Sequence, residues 1–172
     1  NTIERVLQEI KDPEFRLVIA LARHAGFRTP SEAKRLRWCD VNFSKKWMRV
    51  RSEKKDGDAC AGHRPCPLFD PLLPYFEALP DETRAPNALV LPSLNGGGMK
   101  NLRTEFARAI ERAGVPQWPR IFQNLRASAL TDLAEEAPLA DVCKWLGNST
   151  PTAERHYFMV KGVELSEVKE TG

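Results

Sequence analysis

"DVNFSKKWMRVRSEKK", residues 40–55, interrupts a chain that otherwise reads as helix. Val41 and Phe43 lead into it, Trp47 starts the return, and Met48 and Val50 alternate with charged residues beyond "SKK". That alternation on both sides of a short polar turn is the signature of a β-hairpin. The loop that follows, "KKDGDACAG", is polar and glycine-bearing, and "HRPCPL" (63–68) then reads as a third strand. Its prolines lack the N–H that a central strand needs, so it belongs at an edge. Helical patterns lie on both sides of this segment, which predicts an α+β domain, mostly helical, with a small antiparallel three-stranded sheet packed at one edge.

Upstream, "PEFRLVIALARHAGF" (13–27) is too densely apolar for a surface helix and reads as a buried one, with Pro13 in its first turn and Gly26 at its end. "TPSEAKRLRW" (29–38) predicts a short helix capped by Thr29 or Ser31, with Pro30 at its first position and Glu32 in its first turn. Downstream, "DPLLPYFEALP" predicts a helix stopped by Pro80. Residues 80–98 are rich in Pro, Asn and Gly, with "ALVLP" a short extended piece and "NGGG" a joint. "MKNLRTEFARAIERAG" is amphipathic: Leu102, Phe106, Ala109, Ile110 and Ala113 share a face, and Gly114 ends it. "NLRASALTDLAEEA", "LADVCKWLGN" and "TAERHYF" predict three further helices, and "GVELSEVKE" a helical turn or two.

The 172 residues fit one domain over 1–172, and the chain opens on Asn1 rather than Met, which predicts a piece of a longer protein. Composition is that of a globular protein: 42% hydrophobic and 28% charged. No apolar run approaches a membrane span. The four cysteines (39, 60, 66, 143) form no CxxC pair, so they read as reduced thiols and predict a cytoplasmic protein. Cys60, His63 and Cys66 are close enough to suggest zinc, yet no fourth ligand is evident nearby, although Cys39 is conceivable, and no metal or other cofactor is expected. Net charge is only +3, but it is unevenly spread. Residues 45–55 hold six Lys/Arg against Glu53, and residues 100–126 hold six against Glu105 and Glu111. Beyond Arg126 eight acids face four Lys/Arg. A basic body with an acidic tail suggests a polyanionic partner.

"RIFQNLRASALTDL" (120–133) sharpens that expectation. Gln123 and Arg126 are three apart, so they share a helix face. An arginine near a helix start opposes the helix dipole, which prefers anions there. A bound phosphate would want the cation and the amide together.

Two longer blocks carry a resemblance. "AGFRTPSEAKRLRWCDV" (25–41) resembles the first active-site box of the tyrosine recombinases, the phage-integrase family, and "QNLRASALTDLAEEAPLADVCKWLGNSTPTAERHY" (123–157) resembles the second. The resemblance implies a DNA breaking-and-rejoining catalytic core, with the family's N-terminal DNA-binding domain absent from this piece. It implies that Arg28 and Arg126 are the two phosphate-binding arginines, Lys54 the hairpin-loop lysine (Lys55 being the neighbouring candidate) and Tyr157 the nucleophile. Gln123 stands where the family most often has His, and Asn148 where it has His or Trp.

The implied chemistry accounts for the residue types. A tyrosine oxygen attacks a DNA phosphodiester, forms a 3′-phosphotyrosyl link and releases a 5′-hydroxyl, with neither ATP nor metal. Two guanidiniums suit the charge gathering on the non-bridging oxygens, and a loop lysine suits the leaving oxygen as general acid. Gln123 and Asn148 donate hydrogen bonds but take up no proton at neutral pH. The implied activity is therefore site-specific recombination or integration with a slowed chemical step; the alternative is an inactive DNA-binding module of the same descent, and relaxation of supercoils by the same chemistry is a third reading. Duplex DNA is the implied partner, with a tetramer on DNA and a monomer without it. Among bystanders, His156 points about 100° from Tyr157 if the segment is helical, His24 is an outside candidate for a base, Tyr75 is explained by packing, and Trp145 by the core or by the phosphate.

Overall fold

The computed structural model describes residues 2–51, 62–96, 101–149, 151 and 153–154. Lys54, Lys55, Cys60, His156 and Tyr157 lie outside the described residues, as does the segment 162–170. Element order is α1 (Thr2–Gln8), α2 (Pro13–His24), β1 (Val41–Asn42), β2 (Trp47–Arg51), β3 (His63–Pro67), α3 (Leu73–Glu77), α4 (Leu102–Arg112), α5 (Ile121–Glu136) and α6 (Leu139–Leu146).

Helix α2 is the axis of the molecule. Asp12 caps it, its Oδ1 accepting from the backbone N–H of Glu14 at 2.9 Å and of Phe15 at 3.4 Å, and Pro13 occupies the first turn. Every residue from Leu17 to Ala22 is fully buried. A helix apolar all round must be covered on all sides; α3 and α5 both pack on it. A second apolar cluster, Leu130, Leu133, Val142, Cys143, Leu146 and Ala153, joins α5 to α6.

The sheet has the order β1-β2-β3 with both pairings antiparallel, so "HRPCP" is an edge strand as its prolines require. Met48, Val50, Arg64 and Cys66 point inward, whereas Trp47, Arg49, His63 and Pro65 point out. Helix α6 packs on β3. His63 and Cys66 therefore occupy opposite faces of one strand and cannot share a metal ion.

Three expectations need correction. The "TPSEAKRLRW" stretch is no α-helix: a cis Thr29–Pro30 bond and consecutive turns precede a single 3-10 turn over Ala33–Arg35, so neither Thr29 nor Ser31 is a helix cap. Helix α5 begins at Ile121 rather than Asn124, which puts Gln123 in its first turn. Finally, α1 had no place in the sequence reading. It is pinned to α4 and the residues after it by Arg5 Nη2 donating to the Ala113 carbonyl (2.8 Å) and by Arg112 Nη2 donating to that of Glu9 (3.0 Å). Its buried residues Ile3, Val6 and Leu7 have helical spacing but span barely two turns.

Asp40, at the entry to the sheet, has a fully buried side chain and accepts from Arg49 Nε (2.8 Å), Arg51 Nε (2.7 Å) and Arg51 Nη2 (2.9 Å). Burial alone would raise its pKa; the hydrogen bonds from Arg51 and Arg49 outweigh that and hold it below the ordinary carboxylate value. A depressed carboxylate contributes stability that is present above its unfolded pKa and lost as pH falls through its folded one. Asp40→Asn is expected to cost about 2 kcal/mol at neutral pH, the exposed ends of both arginines limiting the loss. It should also flatten the acid limb of a urea-melt series below about pH 4. An unchanged acid limb would count against this assignment.

Candidate phosphate-binding site

The site forms where the C-termini of α2 and α6 meet. Both helices end on glycines in the left-handed region, Gly26 (φ +60°) and Gly147 (φ +65°), where a side chain is strained. Close approach adds a second constraint. A Cβ at position 26 would lie 2.6 Å from Leu146 Cγ, and one at position 147 would lie 2.9 Å from Arg64 Cδ. The end of α2 can seat on Leu146 of α6, and the end of α6 on Arg64 of β3, only because Gly26 and Gly147 lack side chains.

Arg28 follows the first turn. Its backbone N–H donates to Glu32 Oε2 at 2.8 Å, its Nη1 to Glu32 Oε1 at 3.1 Å, and its Nη2 to the carbonyl of Gly147 at 2.6 Å. Arg126 reaches the same place from α5: Nη1 donates to the Gly26 carbonyl, and Nη2 to the Leu146 carbonyl and to Asn148 Oδ1. One turn, 146–148, thus accepts from both arginines. Burial pushes the Arg126 pKa down to about 10, helped by the neighbouring charges of Arg28 and Arg64 and opposed by Glu32. It remains a cation at neutral pH.

Arg28, Gln123, Arg126 and Asn148 all line one cavity of about 600 Å³, together with Thr29 and Arg120. Arg120 (φ +48°) is the residue before α5 and makes no side-chain cap, so the first-turn N–H groups of that helix lack a side-chain acceptor from it. Of the sequence candidates, four come together here, while Lys54 and Tyr157 lie outside the described residues. His24 is not among the cavity-lining residues; its pKa is lowered by burial and then by Arg23. Tyr75 packs against the core, and Trp145 meets Phe69 edge-on at 6.2 Å, so packing accounts for both.

Two residues were missed. Glu32 stands in a predicted first turn and inside the first box but is not among the candidate site residues, yet it is 1% exposed and is the counter-ion of Arg28. Arg64 was read only as part of an edge strand, yet it is 7% exposed and donates from Nη2 to Glu32 Oε2 at 2.7 Å. A signal existed: in "HRPCP" the period-2 pattern puts Arg64 on the same inward face as Cys66. The arrangement is chemically lopsided, with three guanidiniums around one carboxylate. Such an excess of cation beside a cavity favours an anion.

The phage integrase family model matches residues 1–161. The chain belongs to the phage integrase family. Its fold is also that of two solved structures. XerA recombinase superposes with a TM-score of 0.71 at 16% identity, covering 98% of this chain and 59% of that one. The integrase from mycobacterium phage Brujita gives 0.57, also at 16% identity, covering 91% and 53%. The chain therefore spans little more than half the length of these two proteins. No curated protein matches it. No helix among the described residues is long and apolar enough to cross a membrane.

Proposed function

We propose that this chain is the catalytic domain of a site-specific recombinase or integrase that cuts and rejoins duplex DNA through a 3′-phosphotyrosyl intermediate. The observation that carries the reading is the convergence of Arg28 and Arg126 on the 146–148 turn at the wall of a cavity also lined by Gln123 and Asn148. The scissile phosphate sits in that cavity. Both guanidiniums carry more N–H donors than their internal bonds consume, so each also serves a non-bridging oxygen. They are held in place beforehand, which is what makes such donors effective in a transition state.

Tyr157 forms the new bond to phosphorus through its phenolic oxygen, the bond to the 5′-oxygen breaks, and Lys54 (or Lys55) gives that oxygen its proton. Rejoining runs the steps backwards, so no ATP or metal is consumed. Gln123 and the amide nitrogen of Asn148, whose Oδ1 is taken up by Arg126, add neutral hydrogen bonds. Neither takes the phenolic proton, which passes to solvent water instead. The chemical step is therefore slower than with a base, by a factor on the order of 10²–10⁴. Exchange of strands is the work of a tetramer assembled on DNA, with the chain monomeric before it binds, in the cytoplasm where thiols such as Cys39, Cys66 and Cys143 stay free. Affinity is dominated by phosphate contacts and falls steeply with salt.

The second reading, a DNA-binding module without catalysis, is favoured by Gln123 and Asn148. A nicked suicide duplex separates the two. The expected result is a covalent protein–DNA adduct that disappears in Tyr157→Phe. Salt-sensitive binding with no adduct under any condition would leave only the binding role.

A further inference from the structure

Arg64 has no contact with the cavity, yet it is the most deeply buried of the three guanidiniums. It comes from the inward face of β3, where its neighbours in the strand pattern are apolar. Its Nη2 and Nε both address the Glu32 carboxylate, at 2.7 and 3.4 Å. Its guanidinium lies over the Phe27 ring, 5.5 Å from the centroid. Its Cδ and Nε stand 2.9 and 3.2 Å from where a Cβ of Gly147 would be. Among the described residues its Nη1 has no hydrogen-bond partner. Burying a guanidinium that is incompletely satisfied is costly, and an aliphatic residue would pack on Phe27 without that cost. Glu32 is also engaged twice by Arg28, through backbone N–H and Nη1.

We propose that Arg64 is a positioning residue of the phosphate site: it fixes the Glu32 carboxylate that aims Arg28, and it backs the Gly147 turn whose carbonyl Arg28 also grips. The proposal rests on the phosphate reading above for its consequence in catalysis, though not for its geometry. Arg64 is a fork that meets Glu32 at two points and lies over an aromatic ring. A lysine offers one point charge and no plane, so it keeps the charge and loses the aim.

Two measurements on the 172-residue chain test this. With ¹⁵N-arginine labelling, the Arg28 Nη signals are expected to be resolved in the parent chain, because two fixed acceptors hinder rotation of the guanidinium. In Arg64→Lys and Arg64→Met they should collapse to an averaged signal. In single-turnover reaction with the nicked duplex, Arg64→Lys should form adduct about 10²-fold more slowly, as a misaimed group does, with the DNA concentration for half-maximal rate unchanged. Should Arg64→Met fail to fold, Arg64→Lys carries both measurements. If the parent chain forms no adduct, the cleavage reading falls, while collapse of the Arg28 signals still upholds the positioning role. Arg28 signals that stay resolved in the lysine variant overturn the proposal, whatever happens to the rate.

Discussion

Arg126→Ala is expected to abolish adduct formation and to lower the unfolding free energy by about 3 kcal/mol. From the sequence, its loss should stop cleavage and cost modest DNA affinity. The structure adds a second job. Arg126 is the cross-link among three elements: from α5 it bonds the Gly26 carbonyl at the end of α2, the Leu146 carbonyl at the end of α6, and the Asn148 side chain. Alanine leaves those carbonyls without their donor. Each buried orphan costs about 1–3 kcal/mol, and water entering the adjoining cavity limits the sum. On the chemical side, removal of one preorganised donor costs about 10²–10³-fold in rate, and collapse of the 146–148 turn that Arg28 shares takes the remainder. Urea melts and the adduct assay read the two effects separately. Arg126→Lys should recover part of the stability and little of the rate, because a single ammonium cannot span three acceptors and a phosphate. A melt of Arg126→Ala identical to the parent chain would show that these bonds hold nothing.

The second large effect falls on Glu32. Glu32→Gln preserves shape but removes the carboxylate shared by Arg28 and Arg64. Two cations are left facing each other with a third, Arg126, beside them. Breaking a buried pair in this way costs about 3–5 kcal/mol, and the partial exposure of Arg28 puts the expected loss at the lower end, about 3 kcal/mol. Thermal melts measure it. An anion in the cavity relieves part of the repulsion, so added duplex DNA is expected to raise the melting temperature of the variant more than that of the parent chain. Equal shifts would mean that the DNA phosphate does not lie near these charges.

Much of this was legible in the chain itself, for local reasons. Pro13 announces the start of α2 because its pre-set φ acts within one turn. Trp47, Met48 and Val50 announce β2 because alternation is a property of the strand alone. The prolines of "HRPCP" announce an edge for the same kind of reason. Where the reading failed, the deciding force was not local. "TPSEAKRL" has good capping chemistry, yet it runs as turns, with Glu32 drawn into the interior by neighbouring Arg28 and by Arg64 from the distant strand β3. Helix α1 is too short to announce itself and is held by α4. Arg64 lies in a strand with a plain pattern, and nothing in "HRPCP" states what an inward arginine would meet.

The sequence by itself determined the mostly helical α+β class and the hairpin, since periodicity and turn residues act over a few positions, while the resemblance to the recombinase boxes named the arginines to watch. Only the tertiary structure decided that Arg126 reaches the carbonyl of Gly26, 100 residues away, that both arginines grip one turn, and that a buried Glu32–Arg64 pair stands behind them. The physical reason is close approach. The end of α2 meets Leu146 at Gly26, and the end of α6 meets Arg64 at Gly147, because neither glycine has a Cβ; which elements meet there is settled by the packing of α2, α5, α6 and β3, which no short stretch of the chain encodes.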